Sequence, residues 1–429
     1  MKRALGTALA VAAGVLVAAG PAWAMRTVCS SGCSTTSIQQ AIDAAAPGAT
    51  ITIGAGNYYE NLTIDKPVSL VGYGLTTVLY PSVSNPDACE ASSLCGGNSS
   101  NMILVGADNV SISRMRLEGD NPNLTSGVVV NGADIDARNG IITDQQRGYE
   151  NLTVTKVKVT DVFLRGIYPY EGTFQFTHDT VENVAGNFAS VAMFASHASG
   201  VMSENKVSRA NDAISANWSK GTQFIANTVT KSESGVHTDN NGGEGGSADL
   251  IKNNKVKECT IDGYGIWVFV PYVSATVEGN HVSGCAVGIA AFGGAVAGEG
   301  PTFANDIVNG TGATVSAGET VGAYITTDQL GFAFGDVTAT ITGSSLQHFG
   351  TGLHVTQTEP TEGQPAGGQA TATASGDTIA HNGAGAFGGP GTVVNAQNSW
   401  WGCIKGPNMG TCNSATGTVA FTPWLTARP

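Results

Sequence analysis

The residues best suited to chemistry are His237-Thr238-Asp239, followed by the glycine-rich run Asn240-Asn241-Gly242-Gly243-Glu244-Gly245-Gly246. On an extended strand, His237 and Asp239 share one face, so an imidazole and a carboxylate could act as acid and base on one bound substrate. Asp239 could instead work with Glu171 as a carboxylate pair for glycoside hydrolysis, if the fold brings the two within about 5 to 10 Å. A third option is Ca2+ held by Asp239, Glu244 and loop carbonyls; a polar loop without chemistry is the plain alternative. Around these lie Arg165, Tyr168, Tyr170, Trp267 and Phe269. Large rings aimed at solvent could stack sugars, unless long turns fold over them and bury them. His178, His197 and His381 stand alone and read as structural. Gly293-Gly294 and Gly388-Gly389 read as turns, since no helix with Lys-Ser/Thr follows them.

These residues are positioned by a repeat. Short β-branched stretches recur with Asn or Asp before x-Val or x-Ile, at Asp179, Asn205, Asn227, Asn254, Asn280 and Asn305, with gaps of 26, 22, 27, 26 and 25 residues. Asp377-Thr378-Ile379 continues the series after longer insertions. A period in the twenties, without helical periodicity, predicts a solenoid of β-strand coils, roughly ten to thirteen of them. A sandwich would not repeat one polar residue at one phase. About ten residues later in each coil comes a small residue and an aliphatic: Gly166-Ile167, Ala213-Ile214, Gly235-Val236, Gly265-Ile266, Gly288-Ile289, Gly352-Leu353. Strand alternation predicts that Ile167, Ile214, Val236, Ile266 and Ile289 point inward, with Pro169, Ala216, Thr238, Val268 and Ala291 two residues on. Tyr168, His237 and Trp267, then Tyr170, Asp239 and Phe269, fall on the outward row.

Cys259 and Cys285 each follow their coil's Asn by five residues, so they hold one phase in consecutive coils and predict a disulfide across them. The remaining cysteines suggest local pairs, Cys29 with Cys33, Cys89 with Cys95 and Cys403 with Cys412. An even cysteine count fits an oxidising compartment. So does the amino terminus, where Met1-Lys2-Arg3, an apolar stretch to Gly20 and Ala22-Trp23-Ala24 read as a signal peptide over residues 1–24. The expected mature chain is one domain, residues 25–429, periplasmic or extracellular, without a membrane-spanning run.

The whole chain carries 20 Lys plus Arg against 33 Asp plus Glu, a formal net charge of −13. That balance argues against nucleic acid or anionic lipid as a partner, and a polyanionic substrate would need a local basic patch.

Both ends of such a solenoid need covering. Thr36–Ala46 places Ile38, Ala41, Ile42 and Ala45 on one helical face and stops at Pro47-Gly48, which predicts an N-terminal capping helix over 36–46. Asn398-Ser399-Trp400-Trp401-Gly402 with Gly406-Pro407 predicts a C-terminal cap over 398–429. The stretch from Ile38-Gln39-Gln40-Ala41-Ile42-Asp43 through Gly56-Asn57-Tyr58-Tyr59-Glu60 to Asp65-Lys66-Pro67 resembles the opening of right-handed parallel β-helix repeat proteins, the pectin-lyase-like superfamily. The segment from Asn398 to Pro407 is similar to the closing signature of many of them. The resemblance implies an all-β single solenoid, a right-handed parallel β-helix. It names no reaction, because that fold hosts lyases, hydrolases, esterases, epimerases and maturation factors. The catalytic segments of pectin methylesterases, polygalacturonases, pectin lyases and mannuronan epimerases are not found. The expected function is binding, with or without processing, of a polysaccharide along the outward row; the alternative is a non-catalytic structural or adhesive solenoid.

Overall fold

The computed structural model describes residues 26–429 except 91, 220, 240–246, 261, 270–273, 294–299, 314–318, 328–334 and 358–367. Three long sheets of 13, 15 and 12 strands hold nearly all of it. One coil takes a strand from each: Val191–Ser196 in the first sheet, Ser199–Ser203 in the second, Lys206–Ala210 in the third, before Asp212–Asn217 reopens the first. Every pairing between coils is parallel, and the antiparallel exception among the described residues is a small hairpin, Val129–Val130 against Ala133–Asp134. The architecture is the expected β-helix.

The inward column of the first sheet stacks Ile167, Met193, Ile214, Val236, Ile266 and Ile289 in strict register, all fully buried. Met193 fills a coil with no Gly-aliphatic pair to mark it. Thr238, the polar residue among those expected inward, donates its hydroxyl to the buried Asp249 carboxylate and so costs no orphaned group. The preceding small residue is demanded by the corner. A Cβ on Gly235 would lie 2.1 Å from the Gly265 carbonyl of the next coil.

Between the second and third sheets runs a buried amide ladder. The Nδ2 groups of Asn205, Asn227, Asn254 and Asn280 each donate to the next Oδ1, at 3.0 Å in every step, ending on Asp306. The ladder residue of that last coil is Asp306 rather than Asn305, because Val282 pairs with Val308 and the Asn-x-Val phase therefore falls on Asp306-Ile307-Val308.

All eight cysteines pair as their spacing suggested, and Cys259 and Cys285 join neighbouring coils with Cα atoms 4.7 Å apart. The helix near the amino end covers Ile38–Asp43, shorter than the 36–46 expected. Ser37 accepts from Gln40 N, and the Glu60 carboxylate accepts from the Ile38 and Gln39 amides at 2.8 and 2.9 Å, so a residue 21 to 22 positions away fixes where the helix starts. Ile38, Ala41 and Ile42 are buried in the main core. At the other end Trp401 is fully buried, and Ala415–Gly417 and Val419–Ala420 add to the first and second sheets.

Candidate functional site

The outward row of the first sheet runs Phe194, Ser215, His237, Trp267, Ala290, Tyr324, His354 and Phe387 in continuous register. Its rings pack on one another. Phe292, itself buried, has its centroid 5.6 Å from those of Tyr264 and Trp267, 6.1 Å from Phe269 and 6.3 Å from Tyr324. Ser215 and Ala290, both fully buried, are small enough to leave room beside the larger rings.

At His237 the row meets the corner that leads in from the third sheet. The ring stacks on Trp267 with centroids 3.9 Å apart and planes 16° apart. Its Nδ1 lies 3.0 Å from Asp212 Oδ2 and 3.0 Å from Ser215 Oγ, both on the preceding coil. With Nδ1 held by that carboxylate, Nε2 is the nitrogen left for proton transfer. Trp267 is fixed in turn, its indole N–H donating to Ser234 Oγ at 2.8 Å.

These groups line a cleft of about 430 Å³, whose floor and mouth add Asp212, Glu233, Asp262, Tyr264 and the exposed ring of Phe188. Asp212, Glu233 and Asp262 therefore line the same cleft as the stacked His–Trp pair, with Asp212 in contact with the imidazole. Burial, then the nearby charges of Asp212 and Asp262, hold the Glu233 carboxyl above its ordinary range, which suits a proton donor. Asp212 Oδ1 is buried without a hydrogen-bond partner, while Oδ2 holds the imidazole.

Of the residues singled out from sequence, His237 and Trp267 come together in this cleft. Phe269 packs edge-on against Trp267 at 6.0 Å. Asp239 stands further along the same strand, where its carboxylate accepts from Trp218 N; burial foremost, then Asp249, pushes it well above the carboxylate range. Arg165 is buried, donating Nε to Ser93 Oγ at 3.2 Å with its guanidinium 4.7 Å from the Phe194 ring; burial brings it down to about 10. Tyr168 is also buried, 4.6 Å from Phe194. Tyr170 lies 5.7 Å from the His197 ring, and Glu171 turns a left-handed corner at φ 55°. Glu244 and its loop, with the Ca2+ option built on them, lie outside the described residues. Of the isolated histidines, His178 pairs with Glu204 at 2.9 Å, His197 stacks on Trp218, and His381 on His348.

Asp212, Glu233 and Asp262 were missed, as was Phe188. Asp212 opens its strand whereas Glu233 and Asp262 precede theirs, and the three sit two to four residues before the inward aliphatic of consecutive coils. That recurrence is the signal that could have found them.

The profile of the right handed beta helix region matches residues 139–308. No curated protein matches the sequence. Among solved structures, the chain is similar to the A-module of the Azotobacter vinelandii mannuronan C-5 epimerase AlgE6 at 19% identity and a TM-score of 0.53, covering 84% of this chain and 94% of that one. The AlgE4 A-module of the same organism gives 16% identity and a TM-score of 0.54, over 83% and 94% of the two chains. The catalytic domain of a GH87 α-1,3-glucanase, in complex with tetrasaccharides, gives 16% and 0.55, over 86% and 68%. At these identities the likeness is one of fold.

Proposed function

From the premise that the chain is a right-handed parallel β-helix repeat protein, we propose that it is exported and that it binds and hydrolyses a polysaccharide in the His237–Trp267 cleft. The observation that carries this reading is the stacked imidazole and indole facing Asp212, Glu233 and Asp262. The Trp267 and Tyr264 rings that line the cleft offer a sugar apolar surface, and the carboxylates supply the proton chemistry that glycosidic cleavage needs. In this mechanism Glu233 gives its proton to the leaving oxygen as the glycosidic C–O bond breaks. Water adds to the sugar carbon and passes its proton to His237 Nε2, and Asp212 stabilises the imidazolium that results. Glycan-active neighbours such as the epimerase and glucanase fit the reading, although its weight rests on the cleft. Export is supported by residues 1–24 as a leader and by four disulfides, and no helix of the described residues is long and apolar enough to cross a membrane.

The test is incubation with a panel of polysaccharides, reading new reducing ends and unsaturated products. Glu233→Gln should lower turnover by about 10²-fold or more while leaving affinity nearly intact. Trp267→Ala should weaken binding by about 1 to 3 kcal/mol, as for aromatic anchors elsewhere. Release of unsaturated ends alone would replace hydrolysis by elimination. If the wild-type protein neither binds nor cleaves any glycan, and Trp267→Ala only lowers the melting temperature, the row is packing and the solenoid a structural element.

A further inference from the structure

A second recess of about 320 Å³ adjoins the cleft and shares Asn211 and Glu233 with it. Its chemistry differs: the side chains that distinguish it are Arg209, Lys231 and Asn131. Arg209, next to last in the third-sheet strand Lys206–Ala210, and Lys231, just after Thr228–Thr230, both stand at the corner toward the cleft in left-handed conformation, at φ 55° and 53°. Pairing of Ser208 with Thr230 puts the two cations at equivalent positions of consecutive coils, their backbones about 4.8 Å apart. The same corner carries Asn183 one coil earlier and Glu258 one coil later. Both cations are exposed.

Like charges stacked in register repel, so the pair costs stability unless something anionic sits between them. The protein's own acids do little of that work. Arg209 reaches Glu182 only at 3.8 Å, Glu182 being already engaged by Lys158 at 2.9 Å, and Lys231 makes no ion pair among the described residues. Glu233, although it lines the same recess, is held up by burial and by other carboxylates, with no cation among the causes. The far wall is fixed: Asn131, at the turn of the hairpin, donates its amide to Asn183 Oδ1 at 2.7 Å. In a chain with a net charge of −13, this is a local basic patch adjoining the acid-lined cleft.

Resting on the reading of that cleft as a polysaccharide site, we propose that the recess is a subsite for a carboxylated sugar. An acidic, uronate-bearing polysaccharide lies with one ring on the Trp267 wall and a neighbouring carboxylate held by Arg209 and Lys231. The planar guanidinium presents two parallel N–H donors to such a group, and the ammonium adds a point charge.

The experiment compares binding of polygalacturonate and alginate with their carboxyl-reduced, neutral forms, to the full chain and to an Arg209→Gln/Lys231→Gln variant. Both positions are exposed, and circular dichroism confirms that the variant folds. The wild type should prefer the acidic polymers, and the double substitution should weaken that binding about tenfold or more and flatten its salt dependence, with neutral glycans unaffected. Equal wild-type affinity for acidic and reduced polymers, or an acidic preference that survives both substitutions, overturns the inference. Binding and cleavage of neutral glycans alone also overturn it while leaving the cleft reading in place. No binding of either kind removes the cleft reading itself.

Discussion

Asp306 ends the amide ladder with the wrong group for its setting. Its Oδ1 accepts from the Asn280 backbone N–H at 2.7 Å and from Asn280 Nδ2 at 3.0 Å, but Oδ2 is buried with no partner. Burial outweighs those hydrogen bonds and pushes the carboxyl from the ordinary 3.8 to about 7. A carboxyl raised in the fold stabilises it fully below about pH 4, and that contribution is lost as pH climbs through about 7. Three units at about 1.4 kcal/mol each amount to about 4 kcal/mol. Asp306→Asn removes the charge and supplies a donor. By the pattern of Asn280, whose Nδ2 also reaches the Ile251 carbonyl, the new amide should reach the Val277 carbonyl of the preceding coil. Urea denaturation followed by circular dichroism from pH 4 to pH 8 should show the variant matching the wild type near pH 4. The gap should then widen by about 1.4 kcal/mol per pH unit toward about 4 kcal/mol. A gap that does not change with pH, or a variant less stable at pH 8, refutes the reasoning. Asp179 and Asp377, also raised to about 7 by burial, should behave alike.

Peptide mapping of unreduced protein should yield one fragment holding Cys259 and Cys285, and replacing both by Ala should cost about 2 to 4 kcal/mol, since the bond closes a 26-residue separation. Turnover should fall as pH rises through the elevated pKa of Glu233, and in Glu233→Gln that alkaline limb should be absent from whatever activity remains. Gly235→Ala should destabilise the protein by about 3 kcal/mol or more, because the added methyl would lie 2.1 Å from the Gly265 carbonyl, which is backbone, and 2.7 Å from Val256 Cγ1; thermal unfolding reads this directly.

The repeat was legible because stacking puts equivalent residues of every coil in one environment. Ile214, Val236 and Ile266 could be aligned by eye, and Cys259 with Cys285 followed from that alignment. The one-residue slip at Asn305 arose where Asn and Asp adjoin, and both fit the motif until Val308 is paired. The shorter helix reflects Glu60, a long-range partner that helical periodicity does not register. The site was half legible. His237 and Trp267 follow from strand alternation, whereas Asp212, Glu233 and Asp262 lie at or beside a corner, where alternation assigns no direction. Exposure was harder still: Tyr168 holds an outward position yet is buried against Phe194, and Arg165 is buried because Ser93 and Ala189, each more than 20 residues away, accept from its guanidinium.

The ladder also has a direction. The backbone N–H of Asp179 donates forward to Asn205 Oδ1, that of Asn205 to Asn227, that of Asn227 to Asn254 and that of Asn254 to Asn280. A chain made from its amino terminus therefore winds each coil with one donor still waiting for an acceptor that has not yet been synthesised. The newest coil is always the least satisfied, and the next coil is both its completion and its successor. Growth of the solenoid is thus templated in the order of translation, and a ribosome stalled between Asn205 and Asp306 leaves an end whose unmet donor and open sheet edges invite a foreign strand.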